Sequence, residues 1–190
     1  TFGSVVAARD ISLGIPAHQT VGIIGSNGAG KTTFVNMLTG RLAPSSGAML
    51  LGGVDITRAP QGERVQRGLG RTFQINTLFR NLTVIDNVAL GVAERLGVGT
   101  GMFRPANAQR AVVDESMQLL ESLELADVAR AQLAGLPYGK QRLVEIAIAL
   151  GLKPKVLLLD EPAAGVPTTE AHILLDVVES LPADIAMLII

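Results

Sequence analysis

The nine residues from Gly25 to Thr33 read Gly-Ser-Asn-Gly-Ala-Gly-Lys-Thr-Thr, so that Gly25, Gly30, Lys31 and Thr32 form the pattern glycine, any four residues, Gly-Lys-Ser/Thr. This composition suits the cradling of phosphate. Glycines let the backbone wrap closely, so that successive N–H groups of Ser26, Asn27, Gly28 and Ala29 can point at phosphate oxygens. A helix starting just behind them adds a partial positive charge. Lys31 is expected to reach the β- and γ-phosphates of a nucleoside triphosphate, the Thr32 hydroxyl to ligate magnesium, and Thr33 to complete the loop. The plain alternative is a glycine-rich turn from strand to helix. Average residue usage produces the bare pattern by chance in roughly 1% of chains of this length, and the flanking structure required lowers that further.

A second chemical cluster lies far downstream. Val156 to Leu159 is a continuous apolar run that ends in two carboxylates, Asp160 and Glu161. On a buried parallel strand the C-terminal end is where ligands bind. There Asp160 can hold magnesium through water, and Glu161 can orient and deprotonate an attacking water. Acids at strand ends also serve as solvated turn residues, and this pair alone does not decide between the two. A glutamate directly after the magnesium aspartate favours hydrolysis over transfer to a hydroxyl substrate.

These residues need elements to hold them. Thr20 to Ile24 reads as an apolar strand leading into the glycine-rich loop, followed by a helix from Lys31 to Thr39 that stops at Gly40. Val5 to Ala8, Ile11 to Ile15, Ala48 to Leu51, Leu69 to Phe73, Val156 to Asp160 and Ile185 to Ile190 are further expected strands, with Gly52-Gly53 as a turn. From Thr83 the pattern becomes helical, with Thr83 and Asp86 at a helix start and Val112, Leu119, Leu120 and Leu123 at helical spacing. Gly97 to Asn107 reads as a loop. Helices are expected over Lys140 to Leu150 and Thr169 to Leu181. Strands alternating with helices imply a mostly parallel sheet. The expected domain is a single α/β unit over 1–190, with a core of 1–81 and 136–190 and a helical insertion over about 82–135.

Composition sets limits on the function. A hydrophobic content of 48% and a mean hydropathy of +0.39 are high, yet no stretch approaches the roughly 18 consecutive apolar residues of a membrane helix. A net charge of -1 gives no general attraction to nucleic acid or anionic lipid. The absence of cysteine excludes disulfides, thiolate zinc sites and a cysteine nucleophile.

Four further segments carry a family resemblance. They are Gly70-Arg71-Thr72-Phe73-Gln74, then Leu136-Pro137-Tyr138-Gly139-Lys140-Gln141-Arg142, then Asp160-Glu161-Pro162-Ala163-Ala164-Gly165, and at the start Phe2-Gly3. In this order, with the phosphate loop, they resemble the ATP-binding subunits of ABC transporters over essentially the whole chain. The resemblance implies a P-loop (RecA-like) core with an antiparallel β edge and a helical signature subdomain. By the same resemblance Gln74 contacts magnesium or the attacking water, Phe2 stacks on adenine, and Tyr138 and Gly139 belong to the signature motif. Read in isolation, Gln74 is an ordinary loop residue, and Phe2 has the alternative of a core or edge aromatic. The family's signature helix faces the γ-phosphate bound to another subunit, so two chains, identical or different, close head-to-tail over two ATP molecules with Mg2+.

The RTFQ segment, Leu78-Phe79-Arg80, Leu82-Thr83-Val84, the LPYG form of the signature and EPAAG look most like the branch that imports branched-chain amino acids. That implies transmembrane permease partners, no nucleic acid, and a peripheral place on the cytoplasmic face of the inner (plasma) membrane. The stretch Ile75 to Val88 is the expected permease contact, with Leu78-Phe79 as an exposed apolar pair or, alternatively, part of the core. Three departures stand out. Pro137 replaces the usual signature serine, Pro167 replaces the usual aspartate after Gly165, and the chain ends at Ile190, before the family's switch histidine. His18 and His172 match no such position and read as surface histidines. The chain is thus expected to be C-terminally truncated, incomplete also at Thr1, and weakly active by itself. Competing readings are a non-catalytic nucleotide switch and a soluble ABC ATPase working on nucleic acid or ribosomes.

Overall fold

Four short strands far apart in the sequence become neighbours in one parallel sheet. They are β1 (Thr20–Gly22), β4 (Leu69–Arg71), β5 (Val156–Leu159) and β6 (Ala186–Ile189), in the order β1-β6-β5-β4. The computed structural model describes residues 8–72, 78–98 and 106–190, the side chains of Ala106 and Asn107 excepted. The chain falls into two units. One holds residues up to Arg71 with Pro154–Asp160 and Ala183–Ile190; the other holds Thr72–Lys153 and Glu161–Pro182.

In the first unit, Leu157, Leu158 and Leu159 are each at most 1% exposed, as a parallel strand covered on both faces requires. Leu69, Leu158 and Leu188 form a core against which Phe34 and Leu38 of α1 (Lys31–Leu38) pack, together with Val21, Ile23 and Ile15. The antiparallel pair β2 (Leu50–Leu51) and β3 (Val54–Asp55) is closed by Gly52 and Gly53, both at positive φ, the backbone that a two-residue hairpin turn demands.

Two expectations change here. Ile11 to Ile15 forms no strand, and Ile11 and Leu13 are exposed. An apolar run becomes a strand only where a sheet edge pairs with it, and no pairing among the described residues engages this one. Val5 to Ala7 lie outside the described residues. Conversely, α2 (Gln61–Gln66) follows Pro60 in a polar stretch without helical periodicity. Its stability is tertiary. Arg64, 2% exposed, donates to the carbonyls of Met37, Leu38, Thr57 and Ala59, closing the C-terminal end of α1. Gly40, at φ 81, is needed twice: a Cβ there would lie 2.9 Å from the Arg64 Nε.

The second unit is helical: α3 (Val84–Arg95), α4 (Ala106–Ser122), α5 (Tyr138–Gly151) and α6 (Thr168–Glu179). Thr83 caps α3 by accepting from the Asp86 N–H at 3.2 Å, as its sequence suggested. Val84, Val88 and Val92 are fully buried on one face, against an α5 carrying buried Leu143, Val144, Ile146 and Ala147. Gly91 permits this approach, since a Cβ there would stand 2.6 Å from the Ile148 carbonyl oxygen. The expected loop Gly97 to Asn107 ends earlier than its glycines suggested, because α4 already begins at Ala106.

Candidate functional site

The sheet register decides where the chemistry lies. Gly22 on β1 and Leu159 on β5 both pair with Ile189 on β6. The chain therefore leaves β1 for the glycine-rich loop, and β5 for Asp160, at the same level of the same sheet edge. Two strand spacings, about 9.5 Å, separate the exits. Nothing in the local sequence specified this coincidence, because the two segments are joined only through β6.

Within the loop, Gly28 and Gly30 have φ of 82 and 91, left-handed values that suit glycine. Gly30 is the N-cap of α1, no side chain caps that helix, and its first turn has no acidic residue. The first-turn N–H groups thus keep their capacity for an anion, with the helix dipole behind them. The Lys31 ammonium folds back onto the loop, donating to the carbonyls of Gly25 and Ser26, the latter at 3.1 Å. Ser26, Asn27, Gly28, Ala29 and Thr32 are exposed, and Thr33 is half-buried. These features fit a polyphosphate. A phosphate oxygen offers Lys31 a charge-assisted bond in place of two neutral carbonyls.

Asp160 lies half-buried at the end of β5 and accepts a hydrogen bond from Arg71 Nη2 at 2.9 Å. Arg71 ends β4, paired with Leu158 two residues before Asp160. No group of three or more His, Cys, Asp or Glu able to hold a metal occurs among the described residues. A hydroxyl and a carboxylate fit magnesium, which binds through one or two protein oxygens, phosphate and water. Thr32 and Asp160 are the residues that would hold it. Glu161, exposed, takes φ 46, an uncommon backbone for a residue other than glycine and of the kind stored at functional sites.

The signature segment begins α5. Pro137 is its N-cap and contributes no side-chain bond. Gly139 donates its N–H to Glu170 Oε2 on α6 at 2.9 Å, and a Cβ on Gly139 would stand 2.6 Å from that same oxygen. Gln141, buried, donates to the Leu136 carbonyl at 2.8 Å, and the Arg142 guanidinium stacks over the Tyr138 ring at 5.4 Å. Pro167, at the other departure, is simply the N-cap of α6. Sequence reasoning missed Arg71 and Glu170. Arg71 lay in a segment singled out for Gln74, while Glu170 belonged to no motif.

Phe2, Phe73 and Gln74 lie outside the described residues. So do Ile75, Asn76 and Thr77. Of the apolar pair read as either exposed or core, Phe79 is 59% exposed but Leu78 only 8%. Asn87 grips the Phe79 backbone, accepting from its N–H and donating to its carbonyl, and Leu78 is left on the buried side of that fixed point. His18 and His172 are both exposed, as expected; His18 Nδ1 lies 3.1 Å from the Ala183 carbonyl.

Comparison with known proteins agrees with this architecture. A family model described as ABC transporter matches residues 8–164. The high-affinity branched-chain amino acid transport ATP-binding protein LivG of Escherichia coli K12 is 36% identical over 185 residues, which cover 95% of this chain and 72% of LivG. The sulfate/thiosulfate import ATP-binding protein CysA of Salmonella typhi is 40% identical over 162 residues, covering 85% of this chain and 42% of CysA. Among solved structures, the ADP conformation of MJ1267, an ATP-binding cassette of an ABC transporter, superposes with a TM-score of 0.83 at 31% identity, over 99% of this chain and 76% of that one. The expected P-loop α/β fold is borne out, and the chain belongs to the ABC transporter family, among its ATP-binding, ATP-hydrolysing subunits.

Proposed function

We propose that this chain energises a membrane importer of branched-chain or related amino acids by binding and hydrolysing Mg-ATP. The observation that carries the catalytic half is the shared sheet edge, where Gly22 and Leu159 stand level across Ile189. A triphosphate seated on the first turn of α1 then extends towards the end of β5. Lys31 neutralises its β- and γ-phosphates. Thr32 and Asp160 would hold magnesium, which when bound would supply Lewis-acid stabilisation of the charge on the transferring phosphoryl group. Glu161 orients the attacking water and takes its proton. Gln74 assists at the metal or the water, and Phe2 stacks on the base.

Tyr138 and Gly139 serve the nucleotide of a second copy or a related subunit, through the N-terminus of α5. Transmembrane permease subunits are the other partners, with Phe79 and Leu82 as exposed apolar contacts. No helix among the described residues is long and apolar enough to cross a membrane. In this reading attachment goes through the permease partners, at the cytoplasmic face of the inner membrane.

The amino-acid assignment rests on length as well as identity. Percentage identity alone does not separate LivG from CysA, but the likeness to LivG covers 95% of this chain and 72% of LivG, against 85% and 42% for CysA. Glu161→Gln tests the catalytic reading. It keeps the size and polarity of the side chain but not its basicity, so ATP binding is expected to persist while phosphate release falls by about 100-fold or more. Unchanged turnover would remove Glu161 from its role.

A further inference from the structure

Arg71 belongs to no part of the machinery described so far, yet its guanidinium touches the magnesium carboxylate. The contact is built by the sheet. Pairing of Arg71 with Leu158 places a long cationic side chain beside the residue two positions further along β5, and Nη2 closes on Asp160 Oδ2 at 2.9 Å. Both side chains are mostly covered, with 16% and 24% exposure, so the interaction is less screened than one at the surface. It is also an exclusive pair. Arg71 makes no other ion pair among the described residues, and its Nη1 is buried without a hydrogen-bond partner. Among the described residues only one carboxylate oxygen is used, which leaves Oδ1 for something else.

We propose that Arg71 is a resident counter-charge for Asp160, doing for the carboxylate before metal arrives what the magnesium does afterwards. The proposal rests on the assignment of Asp160 to the metal. ATP carries about four negative charges at neutral pH, and an uncompensated carboxylate at the same sheet edge repels it. Arg71 cancels that repulsion and fixes the carboxylate with Oδ1 free. With magnesium held by Asp160, the metal would supply the compensation, and Arg71 would matter much less.

The pattern expected on removing Arg71 is therefore asymmetric. Arg71→Met keeps an apolar stem of similar length for packing. ATP affinity, measured by equilibrium binding to the whole chain, is expected to fall on the order of tenfold in EDTA and less than about twofold in saturating magnesium. Arg71→Lys restores the EDTA affinity, because it restores charge. Asp160→Asn, which leaves Arg71 uncompensated, is expected to raise the EDTA affinity, and adding Arg71→Met returns it towards the parent value. Equal losses with and without magnesium, or no loss in either, overturn the proposal, the first marking Arg71 as merely structural. Failure of the underlying site reading shows separately: Lys31→Ala then leaves ATP affinity intact, or Asp160→Asn leaves the magnesium dependence of binding unaltered.

Discussion

Among individual residues, the mostly covered charged groups of this chain include some at the nucleotide edge, such as Asp160, and others buried for other reasons. Glu145 is of the second kind. It lies on α5, 1% exposed, and burial pushes its carboxyl up to about 7 against the opposing pull of Arg142, which donates to it at 2.9 Å. One carboxylate oxygen and the Arg142 Nε are buried without partners, so the ion pair does not repay its desolvation. The sign follows from linkage. The folded chain holds the Glu145 proton more tightly than the unfolded one, so this stabilisation is complete below about pH 4.5 and is lost as pH rises towards 7. Glu145→Gln resembles the protonated acid at every pH. Its stability relative to the parent chain is expected to rise between pH 5 and 7 by on the order of 2–3 kcal/mol and then level off, as read by denaturant unfolding at several pH values. A pH-independent difference would contradict the raised carboxyl.

At the level of elements, the close approach of α3 and α5 is the packing feature most open to challenge. Gly91 faces the Ile148 backbone carbonyl, and a methyl group there meets an oxygen at 2.6 Å that belongs to helix backbone and cannot swing aside. Gly91→Ala gains about 1 kcal/mol in helix propensity but forces the two helices apart, and overpacking of this kind costs about 1–3 kcal/mol. The net effect expected is a loss of stability, seen as a lower denaturation midpoint. A stabilised variant would show that the helices yield freely. Gly97→Ala is no control for space alone, because Gly97 sits at φ 66. Gly135→Ala is the better one, having neither a positive φ nor a neighbour within 4 Å.

For the whole molecule, the question is whether one chain suffices. The first turn of α1 has no side-chain cap, whereas the N-terminus of α5 engages the Glu170 carboxylate through Gly139. An anion site already holding an internal carboxylate accepts phosphate only by displacing it. In the dimeric reading of the site, that exchange occurs when a second subunit brings its nucleotide. Specific turnover per chain is then expected to rise with protein concentration before reaching a plateau, measured as phosphate release with Mg-ATP in excess. A specific rate constant from dilute to concentrated protein would mean that each chain hydrolyses ATP unaided.

Local chemistry was readable without coordinates. The phosphate loop occupies nine consecutive residues, its glycines and Lys31 act on their immediate neighbours, and the apolar run before Asp160 announces a buried strand by itself. The caps of α3 and the turn at Gly52-Gly53 were legible for the same reason. The parallel sheet followed from the alternation of strands and helices, but particular side-chain contacts between distant segments escaped. Arg71 meets Asp160 across 89 positions, Arg64 closes a helix 26 positions away, and Glu170 reaches Gly139 across 31. Ile11 to Ile15 has the composition of a strand but no partner edge, and Gln61 to Gln66 lacks helical periodicity yet is held in a helix by one buried arginine. Residue type and spacing determine which groups can act. Strand register and helix packing, which no short window of sequence contains, decide which of them stand within reach of one another.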